Sequence, residues 1–299
     1  MTSVGFALLL ASVWGFQAPE SAPADAPRPG RAHVSVADTL VQLRAGDRIV
    51  LENLAGHVSV EAWGRQELEV RTDDEGSGIS VRRSGSTVRV STDDRKRRSR
   101  SVDAFVRLPA SVDIQVRGRS LDLTVEGMNG RIDVNNVSGD VRIADAGGPV
   151  SVRTIEGEIH IVDARGGVSA SSQCDDVTVR GARGPVDVHS GDGDIVLADI
   201  VSSSVRAETQ DGDIDFSGTI DDGGEYGFFV HDGDATIAMP SGANARVAVS
   251  TFDGEFESEF PVRLQRFTGG REFDFTVGEP RASVQIQVFD GEIRLLQRR

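Results

Sequence analysis

The sequence predicts an all-β protein built around a narrow parallel β-solenoid, with partly antiparallel β caps at both ends. Three observations predict this fold. A unit of the form Gly-x-apolar-x-apolar recurs every nine residues through the middle of the chain, and a fixed period of this kind marks a repeat architecture. Apolar and polar residues alternate within each unit, as they do in a short strand with one buried face. No stretch shows helical spacing over ten or more residues.

The repeat units are regularly spaced, and two types of unit alternate along the chain. Eight consecutive units begin nine residues apart, at positions 130, 139, 148, 157, 166, 175, 184 and 193. Units with acidic turns alternate with units that begin Gly-Arg, Gly-Gly or Gly-Pro, so the true period is about 18 residues and two strands per coil. The period later lengthens to about 21, the separation of Asp232-Gly233-Asp234 from Asp253-Gly254-Glu255. Each coil adds about 4.8 Å to such a solenoid.

Most of these units also have a third apolar position, seven residues after the first residue of the unit. The residues at this position are mostly small, which suits a tight corner. We therefore predict that they point inward: Val137, Ala146, Ile155, Ala164 and Ala182.

The flanking segments predict caps on the solenoid. Residues 33–117 hold longer alternating segments, at 48–51, 57–60, 67–70, 79–81, 88–90, 104–108 and 112–116. They indicate an N-terminal β cap over 33–117, followed by solenoid repeats over 118–259 and a C-terminal β cap over 260–299. Caps protect the open edges of a sheet, which otherwise invite aggregation. Residues 33–299 are expected to form one continuous domain.

The N-terminus predicts export. Residues 4–16 are apolar and uncharged, and this stretch is shorter than the roughly 20 residues that span a bilayer. Small residues at Ala22 and Ala24 suit a signal peptidase. We predict a signal peptide over 1–24, a flexible linker over 25–32, and a mature protein that is periplasmic, on the cell surface or extracellular. No later stretch is apolar enough to predict a transmembrane segment.

Composition excludes several classes of function. The net charge of −15 argues against nucleic-acid binding, and Cys174 as the single cysteine excludes a disulfide framework. The low aromatic content, 5%, argues against a sugar-stacking groove. Residues 185–260 carry 17 acidic residues against two arginines, whereas residues 82–119 carry 11 basic residues against four acidic ones. These opposite charges predict weak head-to-tail self-association that high salt abolishes.

The acidic turns are the main candidate for chemistry. If they stack on successive coils, they form a ladder of like charges that Ca²⁺ could bridge, since its ligands are oxygen atoms. The alternative is a solvated acidic edge that keeps the solenoid soluble. Paired carboxylates also serve polysaccharide-cleaving enzymes, but 18-residue coils leave little loop from which to build a cleft. The turns concerned contain Glu156 and Glu158, Asp192 and Asp194, Asp211 and Asp213, and Asp232 and Asp234.

Other chemically active residues are scattered along the chain. His160, His189 and His231 fall on strand surfaces or beside turns and are predicted to be surface residues. Cys174 lies at a coil corner and is predicted to pack as a small apolar residue. The basic run over residues 95–100 predicts a solvated loop, or alternatively a contact with anionic lipid or an acidic partner.

A set of motifs, in a characteristic order, resembles the bacterial putative-adhesin family. The resemblance covers about residues 47–297 and includes the repeated Gly-Asp/Glu-Val/Ile units. It departs from the pattern where Asp175-Asp176 replaces a glycine and in the Ser-rich unit at 201–205. The remaining motifs are Val58-Ser59-Val60-Glu61-Ala62-Trp63-Gly64, Phe105-Val106-Arg107-Leu108-Pro109, Thr251-Phe252-Asp253-Gly254-Glu255 with Phe260-Pro261, and Val288-Phe289-Asp290-Gly291-Glu292-Ile293.

The resemblance implies an extracytoplasmic or envelope-associated role and no accepted catalytic residues. The sequence as a whole therefore predicts a non-catalytic, exported, adhesin-like scaffold that binds an envelope, surface or matrix component. No catalytic, cofactor or metal residue is assigned. A calcium-dependent binding module is the first alternative, and a polysaccharide-active β-helix enzyme is the second.

Overall fold

The structure, a computed structural model, describes residues 34–35, 38–72, 79–92, 103–261, 264–268 and 272–298. Within these ranges the regular structure is entirely β-strand, in one hydrogen-bonded sheet of 26 strands around a single hydrophobic core. The all-β prediction is therefore confirmed. The predicted signal peptide, the linker and the basic run 95–100 lie outside the described residues. No helix long and apolar enough to cross a membrane occurs in the ranges given above.

The strands fall into two groups along the chain, divided after the four-residue strands of the regular repeats. The strands before and within the regular repeats are β1 (Val34–Ser35), β2 (Asp38–Gln42), β3 (Arg48–Trp63), β4 (Glu67–Thr72), β5 (Ile79–Ser84), β6 (Thr87–Thr92), β7 (Ala104–Pro109), β8 (Asp113–Glu126), β9 (Ile132–Asn135), β10 (Val141–Ala144), β11 (Val150–Arg153), β12 (Ile159–Val162), β13 (Val168–Ser171) and β14 (Val177–Arg180). The mostly longer strands of the second half are β15 (Val186–Asp192), β16 (Ile195–Ile200), β17 (Ser204–Asp211), β18 (Ile214–Gly218), β19 (Glu225–Asp232), β20 (Ala235–Pro240), β21 (Ala245–Asp253), β22 (Phe256–Ser258), β23 (Leu264–Thr268), β24 (Glu272–Val277), β25 (Ala282–Asp290) and β26 (Ile293–Arg298).

Two runs of parallel strands form the solenoid. The first run is β9, β11, β13, β15, β17 and β19, and the second run is β10, β12, β14, β16, β18 and β20. Strand β8 begins both runs, because its first half pairs with β9 and its second half with β10. The predicted parallel solenoid with two strands per coil is therefore confirmed.

The coil length changes as predicted. Val141 pairs with Ile159, 18 residues later, whereas Ile195 pairs with Ile214, and Ile214 pairs with Ala235. The spacing therefore grows from 18 to 19 and then to 21 residues. The first increase coincides with a register shift after Leu197, next to the Ser-rich unit.

The core explains why these short strands hold together. In β12, Ile159 and Ile161 are buried, while the alternate residues His160 and Val162 face outward. Every coil repeats this alternation, so apolar side chains from both runs meet in one cluster. Full burial of a Val or Ile side chain stabilises the fold by about 1.5–3 kcal/mol. The coil is thus held by packing between the runs and by hydrogen bonds along them.

The prediction for the third apolar position is right at one corner and wrong at the other. Ala146, Ala164 and Ala182 are fully buried, but Val137 and Ile155 are 44% and 45% exposed. The difference arises because the second type of corner is filled by a buried polar residue that bonds to the turn. Asn136, for example, donates through Nδ2 to the carbonyl oxygens of Ser138 and Gly139 in the turn, at 2.7 and 3.0 Å, and to that of Leu121 on β8, at 2.7 Å. The residue that follows is consequently turned outward.

Both ends of the solenoid carry antiparallel strands, as predicted. At the N-terminal end, β6 and β7 pair parallel with β3, while β5 and β4 add to them antiparallel. At the C-terminal end, β24 pairs antiparallel with β21 and with β23.

The order of the last coils differs from the sequence order. Strand β25 lies between β19 and β21 and is parallel to both, and β26 lies likewise between β20 and β22. The turn at Asp290 therefore stacks between the turns at Asp232 and Asp253, whereas the repeat had suggested the order 232, 253, 290. This arrangement leaves β21 with one free edge, to which β24 adds.

Candidate binding face

The first acidic residue of each late turn belongs to a column on the outside of the first run. Register places Asp192, Asp211, Asp232, Asp290 and Asp253 on successive strands, and all five are exposed. Neighbouring strands lie about 4.8 Å apart, so the predicted stacking of carboxylates is present. This acidic column faces solvent, where water and salt screen its repulsion.

The second acidic residue of the turns has a different environment. Each aspartate accepts a hydrogen bond through Oδ1 from the backbone N–H of the equivalent residue on the next coil. Asp176 accepts from Asp194, Asp194 from Asp213, and Asp213 from Asp234, each at 2.8 Å. The last bond of the series runs from the N–H of Glu292 to Asp234, also at 2.8 Å, which follows the spatial order of the coils.

These hydrogen bonds from backbone N–H groups to aspartates on adjacent coils form what we call the amide ladder. They bear on whether the acidic turns could bind calcium. One oxygen of each ladder carboxylate already accepts a backbone N–H, and charge-assisted bonds of this kind stabilise the turn. Among the residues that the structure describes, no three His, Cys, Asp or Glu side chains converge as a metal site would require. The second acidic residues of these turns thus bond to the protein's own backbone.

The other candidate residues do not converge either. His160 faces outward from β12, and Nε2 of His189 lies 3.0 Å from Asp187. The prediction that Cys174 packs as an apolar residue is wrong, because the thiol is exposed. Cys174 lies 18 residues after Glu156 and 18 before Asp192, so it occupies the outward position of the first acidic residue.

Sequence reasoning missed an open groove on the outside of the first run, beside the acidic column. Its volume is about 760 Å³, and its lining comes from β17, β19, β25, β21 and β24. One long wall is a row of three stacked rings, which we call the aromatic row. His231 stacks on Phe289 at a centroid distance of 4.8 Å, and Phe289 stacks on Phe252 at 4.8 Å with only 3° between the ring planes.

Strand pairing produces the aromatic row. His231, Phe289 and Phe252 each precede the aspartate of their turn and occupy equivalent positions on three adjacent parallel strands. Phe252 is 62% exposed and Phe289 is 47% exposed. Large apolar side chains exposed together on a soluble protein commonly mark an interaction site.

A second row of side chains forms the floor of the groove. Register places Phe229, Gln287 and Ser250 next to one another, with Glu208 at one end and Glu272 at the other. We call these five residues the floor row. It offers an amide, a hydroxyl and two carboxylates along a line that crosses five strands.

A packed aromatic residue, Phe229, lies near one end of the groove. The guanidinium carbon of Arg206 lies 4.5 Å from the centre of the Phe229 ring, and Nη2 of Arg206 lies 2.7 Å from Glu208. The ring also rests against Gly227, where an added Cβ would come within 2.8 Å of it. Phe229 is therefore fixed between a cation and bare backbone, which gives the groove a rigid end.

Comparison with known protein families identifies the family of this chain. The family model described as Toastrack DUF4097 matches residues 37–296. The chain belongs to the Toastrack DUF4097 family. No curated protein matches it.

Solved structures similar to this Toastrack chain include two bacterial proteins. A putative adhesin from Bacteroides fragilis is 15% identical, with a TM-score of 0.45, over 90% of this chain and 99% of that one. A putative cell adhesion protein from Clostridium sporogenes is 10% identical, with a TM-score of 0.24, over 90% of this chain and 100% of that one.

The Toastrack sequence does contain a signal for the groove. The last three turns in space begin with an aromatic residue followed by Asp-Gly: His231-Asp232-Gly233, Phe289-Asp290-Gly291 and Phe252-Asp253-Gly254. Because parallel coils stack equivalent positions, a repeated aromatic residue before Asp-Gly predicts a column of rings. The low aromatic content of the chain, which argued against a sugar-stacking groove, conceals this column because it is an average over the whole chain.

Proposed function

We propose that this Toastrack protein is a non-catalytic, exported, adhesin-like scaffold that binds a component of the cell envelope or its surroundings through the groove. The observation that carries the proposal is the aromatic row, which exposes stacked rings to solvent on a rigid sheet. Burial of those rings against a partner would release ordered water and so favour association.

The carboxyl group whose pKa is raised lies outside the groove. General acid catalysis usually needs a carboxyl group whose pKa is raised toward neutrality. Burial, together with Asp213 and Asp194, raises the pKa of Asp215. Asp215 lies on β18 in the second run, however, and it does not line the groove.

Cosedimentation with cell envelopes tests this proposal. The purified full-length chain is mixed with an envelope fraction from its native cells, and the bound protein is measured after centrifugation. We expect the wild type to bind and the double variant Phe252→Ser/Phe289→Ser to lose at least nine-tenths of that binding. Both side chains are largely exposed, so the variant should melt at the wild-type temperature.

A matched control distinguishes binding through the groove from non-specific adsorption through exposed aromatic residues. Phe105 on β7 is 47% exposed, the same as Phe289, but it lies in the N-terminal cap. Phe105→Ser should bind envelopes like the wild type. Equal binding by the groove variant and the wild type, or a protein that stays in the cytoplasm when native cells are fractionated, would contradict the proposal.

A further inference from the structure

We infer that the groove binds a neutral glycan chain, an inference that rests on the proposed binding function. Three features of the groove carry it: the aromatic row along one wall, the amide and hydroxyl groups of the floor row, and the negative charge at the edges. Each feature matches one property of an uncharged sugar polymer.

The aromatic row matches the apolar patches of sugar rings. Sugars present C–H groups on some faces and hydroxyl groups around their edges, so they suit a site that is apolar on one side and polar on the other. The row His231, Phe289 and Phe252 supplies the apolar side on three successive strands. Its aromatic surface thus continues across three strands.

The floor row matches sugar hydroxyls. A hydroxyl group both donates and accepts, and so do the amide of Gln287 and the hydroxyl of Ser250. Gln210 extends this chemistry at the end of the aromatic row, next to His231 in register. Glu208 and Glu272 add acceptors at the two ends of the floor. Donors and acceptors of the floor row therefore lie beside the apolar surface of the aromatic row.

The size of the groove suits a chain rather than a single small ligand. Four strand intervals separate β17 from β24 through β19, β25 and β21, which at about 4.8 Å each amounts to about 19 Å. An open, elongated groove lets a polymer enter from the side and extend beyond both ends.

The charge of the groove selects against acidic polymers. Glu208 and Glu272 lie at its ends, and the acidic column runs beside the aromatic row. The nearby cation, Arg206, is already paired with Glu208 at 2.7 Å and lies over Phe229. A polyanion would be repelled by Glu272 and by the acidic column beside the aromatic row, whereas a neutral glycan would not.

The test uses polysaccharides from the same envelopes, freed of protein and separated by anion exchange into neutral and anionic fractions. Each fraction is titrated into the full-length protein by calorimetry. We expect the neutral fraction to bind and the anionic fraction to bind at least tenfold more weakly. Phe289→Ser should weaken binding of the neutral fraction at least tenfold, and Phe105→Ser should leave it unchanged.

The possible failures are distinguishable. No binding of the neutral fraction, or equal binding by Phe289→Ser and the wild type, would overturn the glycan inference. If whole envelopes still bind through the groove, the partner is then a protein or lipid and the proposed function stands. If whole envelopes do not bind either, both the proposed function and the glycan inference are wrong.

Discussion

Oδ1 of Asp213 accepts a hydrogen bond from the backbone N–H of Asp234 on the next coil, at 2.8 Å. The neighbouring acid of the same turn, Asp211, instead faces solvent between Asp192 and Asp232. Two aspartates separated by a single glycine thus have opposite effects. Asp213 joins two coils, whereas Asp211 repels its neighbours.

Substitution of these two aspartates should therefore change stability in opposite directions. Asp213→Ala removes a charged acceptor from a backbone N–H, and we expect a loss of about 1 kcal/mol and a melting temperature lower by about 2–4 °C. Asp211→Ala removes one repelling charge and should leave the melting temperature unchanged or higher. Thermal melting by circular dichroism measures both, and equal losses would refute the distinction.

The glycine of these turns should be essential where coils touch. Gly233 has a φ of +134°, and an added Cβ would lie 2.3 Å from the carbonyl oxygen of Gly212 on the preceding coil. Gly233→Ala therefore combines backbone strain with a clash that neither coil can relieve without separating. We expect a loss of at least about 2 kcal/mol in the free energy of unfolding, measured by urea denaturation.

Gly242 provides the matched control for Gly233. It lies in the turn after β20, and no atom comes within 4 Å of a Cβ built there. Gly242→Ala should change the free energy of unfolding by less than about 0.5 kcal/mol. A loss as large as that of Gly233→Ala would show that the coil contact is not the cause.

Calcium should not stabilise the protein specifically. The ladder carboxylates already bond to backbone amides, and no cluster of three potential metal ligands occurs among the described residues. We expect millimolar CaCl₂ to shift the melting temperature no more than NaCl of equal ionic strength. A rise of several degrees with calcium alone would contradict this, because a ligand that binds only the folded state must stabilise it.

Much of the fold follows from the sequence, because a solenoid stacks equivalent positions. The spacing of Gly139 and Gly157 alone predicts that Val141 pairs with Ile159, as observed. The order of the last coils could not be predicted in this way. Strands β21 and β25 share the same apolar alternation and the same Asp-Gly turn, so either could follow β19.

The groove was harder to predict because its residues are far apart in the chain. His231 and Phe289 are 58 positions apart, yet they stack, because β25 inserts beside β19. The amino-acid composition counts these rings among a few aromatic residues and does not show that they lie together. Only the correct coil order brings His231, Phe289 and Phe252 into one row.

Asp215 should make the protein more stable as the pH falls from neutral toward acid, before general acid unfolding begins. Burial raises its pKa above the ordinary 3.8, and the charges of Asp213 and Asp194 raise it further, while Thr236 opposes them through a hydrogen bond. The folded state therefore disfavours the ionised carboxyl. This penalty is absent below pH 3.8, grows as the pH rises through the raised pKa, and is complete at neutral pH.

Asp215→Asn should consequently increase the free energy of unfolding at pH 7, and the gain should shrink toward zero as the pH approaches 4. Urea denaturation at several pH values measures the difference between the variant and the wild type. A constant gain for Asp215→Asn would mean that its amide, rather than the loss of a partly desolvated charge, stabilises β18 against its neighbours.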